Sequence, residues 1–170
     1  MSYKWIGVIF VIVGCGGFGF SIGATQVMEE KTLRQLICAL DYMECELQFR
    51  LTPLPDLCRQ AGVNARGCIR DVFLKLSIEL ETQLSPDVDC CMRRVLEKIQ
   101  NLPKHTQEAL LELGQSLGRF DLQGQLKGLE IVRAACRRRL EQLTTNKEPR
   151  IRSYQTLGLC AGAAIAILFI

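Results

Sequence analysis

Uncharged, mostly apolar runs occupy both ends of this chain, and apolar residues recur at helical spacing in between. From Trp5 to Met28 there is no Asp, Glu, Lys, Arg or His, and from Ser153 to Ile170 there is again none. A helix of about 20 apolar residues spans the hydrocarbon core of a bilayer. In lipid, an isolated run must pair its backbone N–H and C=O groups within itself, which only a helix does. The two runs predict membrane helices over residues 5–28 and 153–170, with one domain over 29–152 held between them.

Within that domain the stripes have a period near 3.6. Leu33, Leu36, Leu40, Met43 and Leu47 form one face of a helix from Glu29 to Leu51. Thr52-Pro53-Leu54-Pro55 stops it, because proline lacks the backbone N–H and the residue before it avoids the helical region. Thr52 is then placed to cap a short helix reaching about Ala61, with Pro53 at its first position. Gly62-Val63-Asn64 reads as a break. A third helix carries Cys68, Ile69, Val72, Phe73, Leu76 and Leu80. Ser85-Pro86 opens a fourth, with Asp87 and Asp89 at its positive end and Val88, Met92, Val95, Leu96 and Ile99 on its apolar face. Pro103 separates it from a fifth helix bearing Ala109, Leu110, Leu113 and Leu117. Gly118 suits the left-handed position that ends it. Asp121 is placed to cap the sixth, whose stripe is Leu122, Leu126, Leu129, Val132, Cys136, Leu140 and Leu143. No run has a convincing period of two, so the expected fold is all-α: a six-helix bundle flanked by an N-terminal and a C-terminal transmembrane helix.

Charge refines the partners. All 18 acidic residues and 20 of the 21 basic ones lie in residues 29–152, a net charge of +2 there. So even a balance does not point to nucleic acid as a partner. Lys31 and Arg34 follow the first run, and Lys147, Arg150 and Arg152 precede the second. Basic residues beside membrane ends favour the cytoplasmic side, which places the middle domain in the cytosol. Gly19-x-x-x-Gly23 in the first run and Gly158-x-x-x-Gly162 in the second are small-residue pairs that let two membrane helices approach closely. An alternative starts from Ile12-Val13-Gly14-Cys15, which resembles a bacterial lipobox. It would put a lipid on Cys15 and make the chain a lipid-anchored extracytoplasmic binding protein.

Candidate chemistry is sparse. Nine cysteines are present, seven of them in residues 29–152, but there is no Cys-x-x-Cys and the single histidine is His105. That spacing does not build a zinc site. The cysteines read as small apolar core residues in a reducing compartment. No Gly-rich phosphate loop ending in Lys-Ser/Thr occurs. Glu79 and Glu81 fall on different sides of a helix, and Glu108 and Glu112 form a like-charged surface pair, so no acid and base share a cleft. His105 reads as a solvated first-turn residue. No catalytic residue, metal ligand, cofactor site or small-molecule substrate is expected. Arg133, Arg137, Arg138 and Arg139 form a basic patch on the last helix. It reads either as a solvated face or as a docking surface for an acidic partner or for lipid head groups.

Three stretches together resemble the stage III sporulation protein AB family of endospore-forming bacteria. They are Thr52-Pro53-Leu54-Pro55 after a long first helix, the segment from Leu113 to Gln125, and Tyr154-Gln155-Thr156-Leu157-Gly158 before the terminal apolar run. The most specific part is Leu-Gly-x-x-Leu-Gly-x-x-Asp-x-x-x-Gln, realised by Leu113, Gly114, Leu117, Gly118, Asp121 and Gln125. The resemblance covers the whole chain and brings no catalytic residue with it. It implies a non-enzymatic subunit in the mother-cell membrane, within a secretion-like channel complex needed for endospore formation. The family's helical domain is similar to the cytoplasmic domain of the type II secretion platform protein. By that likeness the chain would link membrane components to a cytosolic secretion-type ATPase.

Overall fold

The structure, a computed structural model, describes the backbone of residues 2–82, 87–118 and 121–145, and the side chains of residues 25–82, 87–118 and 121–145. Six helices follow in order: α1 (Ser2–Phe49), α2 (Leu54–Asn64), α3 (Gly67–Glu81), α4 (Val88–Glu97), α5 (Lys104–Ser116) and α6 (Leu122–Thr145). There is no strand among the described residues. The chain divides into two compact units, one of Met1–Met28 with Glu141–Ile170 and one of Glu29–Leu140.

In the first unit the backbone of residues 2–28 is helical, and so is that of 141–145. Among the described residues no helix is long and apolar enough to cross a membrane. The predicted span 153–170 lies outside the described residues, as do the side chains of residues 5–24 in the predicted span 5–28.

The second unit is an all-helical bundle built on the stripes read from the sequence. Leu33, Leu36, Leu40 and Met43 of α1 are buried, as are Leu57 of α2, Ile69, Val72, Phe73 and Leu76 of α3, and Met92 of α4. Leu110 and Leu113 of α5 and Leu129 and Val132 of α6 complete this core. Burying each such side chain contributes about 1.5–3 kcal/mol. α2 packs on α3, α3 on α4 and α4 on α5, in chain order. Polar contacts attach α1 to the α2–α3 pair: Tyr42 donates to Gln60 Oε1 at 2.6 Å, and the Arg66 backbone N–H donates to Gln35 Oε1 at 3.0 Å.

Boundaries differ from expectation at three places. α1 stops at Phe49, because Leu51 turns to a left-handed φ of 51° before the two prolines. Thr52 does not cap α2. Its hydroxyl donates to Glu46 Oε2 at 3.1 Å, and Pro53 holds the capping position with no side-chain hydrogen bond. Glu46 is nearly buried and already pairs with Arg50 at 3.6 Å, so the threonine is drawn to a carboxylate that needs partners. Gly62 does not break α2, which continues to Asn64. A Cβ at Gly62 would fall 2.9 Å from Leu74 Cγ, so the missing side chain lets α2 lie close on α3. The break comes later, at extended Ala65 and Arg66 and at Gly67 with φ of 61°. Ser85 and Pro86 lie outside the described residues, and α4 begins with Asp87 in the capping position.

Candidate interaction surface

The turn between α5 and α6 gathers the most specific motif of the sequence. Leu113 and Leu117 are fully buried. A Cβ at Gly114 would lie 3.0 Å from Met92 Cβ, so α5 approaches α4 closely at this point. Leu117 leaves the helix in an extended conformation, and Gly118 follows with φ of 74°. The same glycine has no room for a side chain, since its Cβ would meet Val88 Cγ2 at 2.7 Å. Leu54 Cδ2 lies 3.6 Å from that position, which brings the Thr52–Pro55 stretch and the Leu113–Gln125 stretch into one neighbourhood. Asp121 then starts α6: its Oδ1 accepts from the Gly124 N–H at 3.0 Å, and its carbonyl accepts from Gln125 N–H at 3.0 Å. Gly118 and Asp121 thus take the local roles their residue types predict. Arg119 and Phe120 lie outside the described residues.

The four arginines of α6 do not form one open basic face. Arg133 Nη1 is 3.0 Å from Asp41 Oδ1 and also pairs with Glu44 of α1. Arg137 Nη2 is 3.7 Å from Asp41 Oδ1, and Arg139 Nε is 2.8 Å from Glu29 Oε1. Arg138 is exposed. Burial works against the charge on Arg133, but the carboxylates of Asp41 and Glu44 more than offset it and hold its pKa above the ordinary value. Three of the four arginines therefore spend their charge on α1. The sequence reading missed Glu29, Asp41 and Glu44 as their partners. The available signal was the i,i+3 pair of acids at 41 and 44 matching the i,i+4 pair of arginines at 133 and 137.

The cysteines divide rather than sharing one role. Cys58, Cys91 and Cys136 are buried, Cys68 is half-buried, and Cys38, Cys45 and Cys90 are exposed. The core-residue reading therefore holds for three of the seven, because Cys38 and Cys45 sit seven apart on the outer side of α1. Burial pushes the Cys58 thiol up to about 12, and burial with nearby Glu112 pushes Cys136 up to about 11. A thiol in that state is a poor nucleophile at neutral pH. His105 is half-exposed and its Nδ1 is 3.3 Å from Glu108 Oε2 on its own helix. Among the described residues no three His, Cys, Asp or Glu side chains converge on a metal position. The site is thus a surface of packed turns and ion pairs. Gly158 and Gly162 of the predicted helix contact lie outside the described residues, and of Gly19, Gly23 and the candidate lipid site Cys15 only the helical backbone is described.

Comparisons with known proteins agree with this architecture. The family model described as Stage III sporulation protein AB matches residues 4–170. Stage III sporulation protein AB of Bacillus subtilis (strain 168) is 26% identical over 171 residues, covering 97% of this chain and 98% of that protein. A solved structure of stage III sporulation protein AB superposes with a TM-score of 0.61 at 22% identity, covering 68% of this chain and 93% of that one, and so shares the fold.

Proposed function

This chain belongs to the stage III sporulation protein AB family, which gives it a role in sporulation, and from that premise we propose that it is a non-enzymatic membrane platform subunit. In this reading two terminal helices hold it in the mother-cell membrane, with the helical domain facing the cytosol. It joins membrane components of a secretion-like channel complex to a cytosolic secretion-type ATPase. The observation that carries the proposal is the span of the family match. It runs from residue 4 to residue 170 and so takes in both uncharged runs along with the domain between them. The site supports it as well. Apolar packing, caps and ion pairs are what a protein–protein scaffold needs, and no described group is arranged as acid, base and nucleophile.

The test is crosslinking and affinity capture of the full chain from sporulating cells. Co-recovery of a secretion-type ATPase with further membrane subunits is expected. Capture that returns the chain without an ATPase, under conditions that retain other complexes of the same membrane, overturns the platform role.

A further inference from the structure

We infer that the turn between α2 and α3 is a contact site for anionic phospholipid head groups of the membrane that holds the chain. The inference rests on the membrane reading above. It starts from where the bundle places that turn. The Arg66 backbone N–H donates to Gln35 Oε1 at 3.0 Å, and Cys68 Sγ lies 3.8 Å from Thr32 Oγ1. The turn therefore sits beside residues 32–35 of α1, four to seven residues after the uncharged run ends at Met28. On the membrane reading, the turn is tied to the part of α1 that directly follows the first uncharged run.

Its chemistry fits such a surface. Val63 is 63% exposed at the end of α2. Arg66 and Arg70 are exposed and make no ion pair among the described residues, unlike Arg133, Arg137 and Arg139 of α6. Lys31 on the neighbouring stretch of α1 is exposed too. The nearby acids are Asp71, which is exposed, and Glu30, which is 3.1 Å from Arg34 and so already neutralised. The balance is positive, with the exposed apolar Val63 on the same turn. Each basic residue near an anionic leaflet is worth about 1 kcal/mol of attraction, and an exposed apolar residue inserts among head groups. The opposite end of the α2–α3 pair lacks this character: Arg59 is there held between Asp56 and Glu81.

Hydrogen exchange of the full chain in nanodiscs tests this. One set of discs is phosphatidylcholine, and the other is about one third phosphatidylglycerol, enough to charge the surface. Amides of residues 63–70 are expected to exchange about five-fold to thirty-fold more slowly in the anionic discs, the protection that one or two basic contacts give. The difference should vanish in R66Q/R70Q, whose exposed and unpaired side chains the fold does not need, while protection of the α1 and α5 cores stays unchanged. Equal exchange in both discs overturns the lipid contact and leaves the membrane reading standing. A chain that does not remain with either disc overturns the membrane reading itself, and the lipid contact with it.

Discussion

Gly118 has two separate reasons to be glycine. Its φ of 74° is a conformation that side chains with a Cβ resist, and Val88 Cγ2 occupies the space a Cβ would need. Gly118→Ala is expected to lower stability by about 1 kcal/mol from the backbone alone, and by more once Val88 must shift. Thermal melting of the full chain in detergent measures this, and an unchanged melting temperature would refute the assigned conformation. Thr106 predicts the opposite sign. Its hydroxyl is fully buried with no hydrogen-bond partner among the described residues. Thr106→Val keeps the shape and removes the unsatisfied group, so the same melt is expected to rise, by a free energy of about 1 kcal/mol. The buried thiols give a pH dependence. Cys58 moves from an ordinary 9.0 to about 12 and Cys136 from 9.0 to about 11. A pKa raised by folding means that the native state holds its proton more tightly. The stabilisation is full below pH 9 and is lost as pH climbs towards 11 to 12. Cys58→Ala/Cys136→Ala should therefore flatten the loss of stability above pH 9. An identical alkaline slope in the double variant would show that these thiols do not titrate on unfolding.

At the scale of elements, the α1–α6 seam is the feature on which charge and packing act together. Arg133 sits between Asp41 and Glu44 with its side chain mostly covered, at 21% exposed. Arg133→Gln leaves Glu44 without its cation and Asp41 with only the 3.7 Å contact to Arg137. The expected cost is about 1–3 kcal/mol, well above the roughly 0–1 kcal/mol of an open surface pair. Denaturant melts of Arg133→Gln and of the exposed control Arg138→Gln measure the contrast, and equal effects would mean that the seam is ordinary surface. This seam also shows where sequence reasoning stops. All six helices were legible, because each carries an apolar stripe of the right period. So were the caps at Asp121 and Gly118, because they depend on local backbone chemistry. The pairing of Arg133 with Asp41 was not, because it joins residues 92 apart in sequence. The role of Gly62 was hidden for the same reason, since a glycine that admits Leu74 of another helix reads locally as a breaker.

At the scale of the whole molecule, the functional reading turns on which side of the membrane the domain of residues 29–140 occupies, and the fold supplies the reporters to decide it. Cys38, Cys45 and Cys90 are exposed on that unit, whereas Cys58 and Cys136 are buried with thiols held in the protonated form. Thiolate is the reactive species, so labelling should report almost entirely on the exposed three. Cys15 and Cys160 are replaced by Ala to keep the terminal runs silent. In intact sporulating cells a membrane-impermeant maleimide is then expected to leave the chain unlabelled. After permeabilisation the same reagent should modify Cys38, Cys45 and Cys90. The basis is the basic residues that flank the uncharged runs on the domain side, Lys31 and Arg34 after the first and Lys147, Arg150 and Arg152 before the second. Labelling of these three cysteines before permeabilisation would place the domain outside the cytosol, where no cytosolic ATPase reaches it. Replacing Cys15 makes the same experiment discriminate further. A chain anchored by its terminal runs stays in the membrane fraction without that thiol, whereas a chain held by a lipid on Cys15 loses its attachment point.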